Sequence, residues 1–148
     1  FQESRLLQSA RSASGAVGIM QLLPSTGRAM GYKNIFRSAK DNIAAGAKYM
    51  RHIIDRYFNE PDLPPAVRVD FALAAYNAGP TRILQLRKLA AKRGLDPDRW
   101  FNNVERIVLE KVGRQPVQYV AHIHRYYAAY RLAEHIQGDG SKPQQPAR

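Results

Sequence analysis

The chain has 148 residues, enough for one buried core and too few for several domains. It is 45% hydrophobic and 24% charged, as globular proteins are, and no apolar run approaches the ~20 residues that a membrane-spanning helix needs. The absence of cysteine excludes disulfides and a thiol nucleophile, while a net charge of +11 attracts polyanions: nucleic acid, anionic lipid heads or a carboxylate-bearing polymer.

In chain order, the sequence opens directly on Phe1-Gln2-Glu3, with no signal-peptide pattern and no helix start before it. This reads as a trimmed piece lacking the N-terminal half of its first helix. Gly15 and Gly18 then predict a tight turn whose backbone allows close approach to a ligand. Asp41 is the expected cap of a helix in which Ile43, Ala47, Met50, Ile54 and Tyr57 recur at helical spacing. The cluster Asn59-Glu60-Pro61-Asp62-Leu63-Pro64-Pro65 stops that helix and opens the next, with proline in its first turn. That next helix carries Val67, Phe71, Leu73, Ala74 and Ala75, is apolar on most sides, and should be central. It ends at Asn77-Ala78-Gly79-Pro80, where glycine is expected in the left-handed cap and proline blocks continuation. Helices follow from about Thr81 to near Gly94, after Asp98, and from about Gln115 to His135. Strand-like alternation is absent, so the fold class is all-α. The domain is expected over residues 1–137, with a disordered Gly/Ser/Pro/Gln tail over 138–148.

The chemistry-bearing residues fall into four blocks: Glu3-Ser4; Ser12 through Gln21, containing Gly15-Ala16-Val17-Gly18-Ile19-Met20-Gln21; Asn42-Ile43-Ala44-Ala45-Gly46-Ala47-Lys48-Tyr49; and Ala75-Tyr76-Asn77-Ala78-Gly79. In order, and in spacing from Glu3 to Gln21, they resemble the lytic transglycosylases of the soluble-transglycosylase (lysozyme-like) superfamily. The resemblance covers roughly Phe1 to Tyr130. It is nearest the membrane-bound-F-like branch, in which Trp100 and the Gly113…Tyr119-Val120 segment recur. A lysozyme-like helical domain acting on peptidoglycan is what the resemblance implies.

Glycosidic cleavage needs a proton delivered to the leaving oxygen, so an acid must stay protonated near neutral pH. Burial against apolar groups achieves that, and Phe1, Leu6 and Leu7 are the expected wall around Glu3. The resemblance makes Glu3 the acid, and then the base that activates the 6-hydroxyl of N-acetylmuramic acid. That hydroxyl attacks its own anomeric carbon and gives a 1,6-anhydro sugar without consuming water. Asp41, Asp55, Glu60, Asp62 and Asp70 read as capping or helix-face residues, so no second catalytic carboxylate is expected. Gln21 can hold an acetamido or hydroxyl group; Met20 should face the cleft beside it, although a lone methionine is more often core filler. Ser12 is a sugar contact or turn chemistry. Tyr76 is either core, bonding a neighbouring carbonyl, or by resemblance directed at the acid and the sugar. Asn77 caps its turn or touches substrate, and Tyr119 is an expected third cleft wall. Two positions depart from the family pattern: Leu6-Leu7-Gln8 replaces an aromatic, Asn or Asp, and Pro, and Gln115-Pro116 replaces Glu-Thr. Both alter cleft shape or local charge.

His52, His122, His124 and His135 have no metal-site spacing, and no phosphate-binding glycine loop is present, so neither metal nor cofactor is expected. Arg82, Arg87, Lys88, Lys92 and Arg93 spread over one helix as a solvated basic face, which argues against a nucleic-acid binder. The expected partner is the peptidoglycan glycan strand, met by a monomer in the periplasm or cell envelope, with any anchor or regulatory domain outside this chain. A goose-type lysozyme that uses water, and an inactive wall-binding domain, are the competing readings.

Overall fold

α3 (Pro65–Ala78) is the axis of the fold, and its sequence shows why. Proline at its first position costs no hydrogen bond, and Asp70 through Ala75 are all buried, so the helix meets protein on every side. The computed structural model describes residues 4–139. Within them α2 (Ala39–Tyr57), α4 (Pro80–Lys92) and α6 (Arg114–Asp139) pack around α3, and α5 (Glu105–Lys111) closes the end against α4 and α6. A short α1 (Pro24–Ala29) lies against α2. Phe71 of α3 is the centre of this core: it stacks on Phe58 at 5.6 Å, meets Trp100 edge-on at 6.1 Å, and lies 4.6 Å from the Arg87 guanidinium. Arg87 is itself buried, and offsets its desolvation by binding Glu60, Asp98 and the Pro97 carbonyl. His124 Nε2 bonds Asp70 Oδ1 at 2.6 Å and ties α6 to α3; burial pushes the Asp70 carboxyl up, partly offset by His124.

A second, smaller apolar cluster joins Val17, Leu22, Met30, Ile35 and Ala45. Tyr49 and Tyr76 pack against both clusters, their rings 5.4 Å apart, and form the seam between them. Residues 4–23 make turns held by two isolated antiparallel bridges, Arg11 to Val17 and Val17 to Leu22; among the described residues there is no strand.

Several expectations shift by a residue or more. Ser38, not Asp41, caps α2, its side chain accepting from the Asp41 amide at 3.1 Å. The inward face of α2 is Asn42, Ala45, Gly46, Tyr49 and Ile53, and Met50, Ile54 and Tyr57 pack half-buried on the main core as expected, while Ile43 is 47% exposed and Ala47 is also exposed. The helix is rotated because Asn42 finds three hydrogen bonds inside, an outcome that hydrophobic periodicity cannot register. Gly79 has φ 92 and ψ 136, the mirror-extended region rather than the left-handed helical one, so the chain turns directly into Pro80 of α4. The helix expected after Asp98 starts at Glu105, because Trp100 plunges into the core and Asn102 takes a left-handed turn (φ 61), its amide capped by Glu105. α6 runs to Asp139, beyond His135, and is exposed on every side from Tyr127 to Ile136. Residues 140–148 of the expected tail lie outside the described residues. Among the described residues no helix is long and apolar enough to cross a membrane.

Phe71 is fully buried, so Phe71→Ala is expected to cost about 3–5 kcal/mol in urea unfolding, read as a lower midpoint at unchanged slope.

Candidate functional site

The site is built on the loop over residues 4–22. Its outer turn is closed by Gly15 N–H donating to the Ser12 carbonyl, and by Ala16 N–H donating to Ser12 Oγ at 2.9 Å. Its inner turn pairs Val17 with Leu22 through two backbone bonds of 2.8 and 3.1 Å, and both side chains sink into the smaller cluster. Gly18 has φ +78, and a Cβ there would collide with the Asn42 carboxamide and with Gln8 Oε1. The close approach that this glycine permits is therefore to protein, not to a ligand. Gly15 needs its glycine for φ +85 alone.

Asn42 holds the loop from beneath. Its Nδ2 donates to the Val17 and Ile35 carbonyls at 2.9 and 2.8 Å, and its Oδ1 accepts from the Met20 amide at 2.7 Å. Gln8 adds a donor to the Ile35 carbonyl at 2.8 Å and accepts from the Ile19 amide, so this departure from the family pattern is a brace for the loop. Ser4 is buried and donates to the Ile19 carbonyl at 2.9 Å. One turn of α2 beyond Asn42, Gly46 leaves room for Met20: a Cβ at Gly46 would lie 2.7 Å from Met20 Cγ. A further turn on, Tyr49 packs at a tilt of 54° against Tyr76, whose hydroxyl donates to the Met20 carbonyl at 2.8 Å. The Met20 peptide is thus clamped from both sides.

Above this loop opens a cleft of about 340 Å³ with three walls. The loop supplies Ser12, Ser14, Ala16 and Gln21; the C-terminal end of α3 supplies Tyr76 and Asn77; the first turns of α6 supply Gln115 and Tyr119. Five expected site residues, Ser12, Gln21, Tyr76, Asn77 and Tyr119, meet here from segments more than fifty residues apart in places. Met20 does not line the cleft; its side chain packs on Gly46 and it joins the smaller cluster, so its part in the site is its backbone. Tyr76 bonds the Met20 carbonyl, as its core reading expected, and also lines the cleft. Gln21 sits at φ +47, an uncommon region for a side-chain-bearing residue, held there by its Nε2 donating to the Gly18 and Ala10 carbonyls. Its carboxamide oxygen makes no hydrogen bond among the described residues. Asn77 makes no side-chain hydrogen bond among the described residues, so it does not cap its turn. Tyr119 is 6% exposed and is both core and wall.

Glu3 and Phe1 lie outside the described residues. Leu6 and Leu7, expected to wall the acid, are 59% and 57% exposed and face solvent instead. Ser14, Ala16 and Gln115 line the cleft without having been singled out as contacts, although the Gln115-Pro116 departure had marked the position. Among the described residues no group of His, Asp or Glu could hold a metal.

The sequence profile of the family described as "Transglycosylase SLT domain" matches residues 1–97. The chain belongs to the transglycosylase SLT domain family. Its fold is accordingly the lysozyme-like all-α one. Among relatives of this SLT domain is a protein of Pseudomonas fluorescens named membrane-bound lytic murein transglycosylase F, 38% identical over 144 residues. Proteins of the same name from Pseudomonas syringae and Shewanella woodyi are 34% and 38% identical over 158 and 141 residues. They agree with the branch expected from the sequence. The alignments cover 86–96% of the chain but only 28–30% of those relatives.

Asn42→Ala leaves the Met20 N–H without its partner and takes a second donor from the Val17 and Ile35 carbonyls, and is expected to cost about 1–3 kcal/mol. Asn42→Asp should do comparable damage, because an oxygen then faces the two carbonyls. For Gly46→Ala, overpacking against Met20 is expected to cost about 1–3 kcal/mol. Thermal melts of the three variants check these values; wild-type melting of Asn42→Ala is incompatible with the clamp.

Proposed function

We propose that the chain is the catalytic part of a peptidoglycan lytic transglycosylase that cleaves the MurNAc-(β1,4)-GlcNAc bond. The observation that carries this reading is the convergence of Ser12, Gln21, Tyr76, Asn77 and Tyr119 on one cleft. Its amides, hydroxyls and phenols are groups that bind sugar hydroxyl and acetamido substituents. Glu3 is the proposed acid. Its chain neighbour Ser4 is bonded to Ile19 of the same loop.

In the proposed reaction the Glu3 carboxyl gives its proton to the O4 oxygen of the leaving GlcNAc as the bond from that oxygen to C1 of MurNAc breaks. The resulting carboxylate takes the proton of the MurNAc 6-hydroxyl, whose oxygen bonds C1 and closes the 1,6-anhydro ring. The proton count balances and no water enters. A single acid suffices, and the cleft walls described carry no carboxylate that could serve as a second one. Gln21 and Asn77 hold sugar substituents in place, and Tyr76 keeps the Met20 carbonyl and the loop in register. The likeness to proteins named membrane-bound lytic murein transglycosylase F supports an activity at the cell envelope. The proposed partner is the peptidoglycan glycan strand, bound by one copy of the chain.

Mass spectrometry of soluble products from purified peptidoglycan tests the reading. Wild type is expected to release muropeptides lighter by one water than hydrolysis products, and Glu3→Gln none while keeping its fold by circular dichroism. Products of full hydrolytic mass would make the protein a lysozyme, and near-wild-type turnover by Glu3→Gln would remove Glu3 from the mechanism.

A further inference from the structure

A second concavity lies outside the cleft, where the end of α4 meets α5. It encloses about 380 Å³ and is lined by Arg93, Leu95, Arg106, Ile107 and Glu110, none of which lines the cleft. That volume falls in the range of small-ligand pockets, about 300–1,000 Å³. Part of its wall is apolar, with Ile107 3% exposed and Leu95 half-buried. The rest is charged. Glu110 accepts from both outer nitrogens of Arg93 and pairs with Lys111 Nζ at 2.8 Å. The hydrogen bonds from Arg93, and after them the one from Lys111, hold the Glu110 carboxyl down at about 2, so it is ionised and matched by cations at neutral pH. Arg106 differs. It is exposed, lines the pocket, and makes no hydrogen bond or ion pair among the described residues. With Lys111 beside the pocket, three cations (Arg93, Arg106, Lys111) stand against one anion (Glu110), a local charge of +2.

A guanidinium fixed by its partner, a second one uncommitted, and an aliphatic wall between them suit an oxyanion that carries an alkyl group. Guanidinium donors match a carboxylate in pairs. A bare inorganic anion would leave the aliphatic wall uncovered. The end of a peptide uses both, its carboxylate at Arg106 and its last side chain against Ile107 and Leu95.

We propose that the α4–α5 pocket is a second binding site, which takes the C-terminal carboxylate of a short peptide ending in a small aliphatic residue, with Arg106 as its anchor. The carboxylate chemistry stands on the pocket alone; identifying the ligand with the stem peptides of wall glycan rests on the glycan reading of the cleft. α5 ends at Lys111 and α6 begins at Arg114, so one short turn of chain joins this pocket to the cleft wall at Gln115. A strand held in the cleft carries its peptides with it, and a peptide end bound on this flank adds affinity without touching the reacting atoms.

Chemical-shift titration of the chain with N-acetyl-D-alanyl-D-alanine and with its C-terminal amide tests the site. The acid is expected to bind about five- to tenfold tighter than the amide at pH 7 and low salt, the scale of one charge contact at an exposed site. Arg106 has no partner to lose, so Arg106→Gln should melt as wild type does and bring the acid down to the affinity of the amide. Equal binding of acid and amide by wild type, or an acid preference that survives Arg106→Gln, overturns the inference. Inorganic phosphate binding as tightly as the peptide acid overturns the peptide assignment. In cleavage of peptide-bearing peptidoglycan, Arg106→Gln is expected to raise KM severalfold at unchanged kcat, and to act on peptide-free strands as wild type does. An unchanged KM on peptide-bearing strands overturns the stem-peptide assignment. Failure of wild type to cleave either strand overturns the glycan reading, while the acid preference in the titration still decides the pocket.

Discussion

The Asn42 carboxamide is the constraint on which the rest of the site depends. It is wholly buried, and an unpaired amide there would carry a cost of about 1–3 kcal/mol. Its acceptor takes the Met20 N–H, and its two donors reach the Val17 carbonyl on the loop and the carbonyl of Ile35, so that one side chain joins loop, α2 and the segment before α2. A loop of turns and isolated bridges has few bonds of its own. It takes its shape from this side chain, from Gln8, and from the room left by Gly18 and Gly46. Removing any of these leaves the loop's apolar residues in place but not its register.

The cleft lies at the seam between two apolar clusters, and this explains how a mobile type of segment becomes a rigid wall. Tyr49 and Tyr76 belong to both clusters. Tyr76 closes the link by donating to the Met20 carbonyl, so the end of the central helix and the turn of the loop are fixed relative to each other. The first turns of α6, packed on α3, complete the third wall. Of the described cleft lining, Gln21 is the residue with a left-handed backbone, φ +47, and two hydrogen bonds of its side chain hold it there.

The described basic side chains and the described cleft lining are kept apart, a distribution that fits the proposed acidic glycan. Between residues 4 and 50 the basic side chains are Arg5, Arg11, Arg28, Lys33, Arg37, Lys40 and Lys48, and the acid is Asp41 alone. These cations lie outside the cleft lining, where they steer rather than grip, over a Debye length of about 10 Å. The described lining offers amides, hydroxyls and phenols, whose hydrogen bonds are directional.

The sequence by itself determined the helical class, the order of the helices, the centrality of α3 and five of the residues that meet in the cleft. Those signals are local: apolar spacing, proline and glycine punctuation, and motif blocks whose residue types carry their own chemistry. Tertiary structure alone decided that α2 turns Asn42 and not Ile43 inward, because three buried hydrogen bonds outweigh one apolar side chain and periodicity counts only the latter. It decided that Met20 serves through its backbone and Gly46, and that Leu6 and Leu7 face water. It also decided that Gln115 joins a wall with Ser12 and Asn77. Each of these depends on which distant segment lies opposite, and no local pattern encodes that.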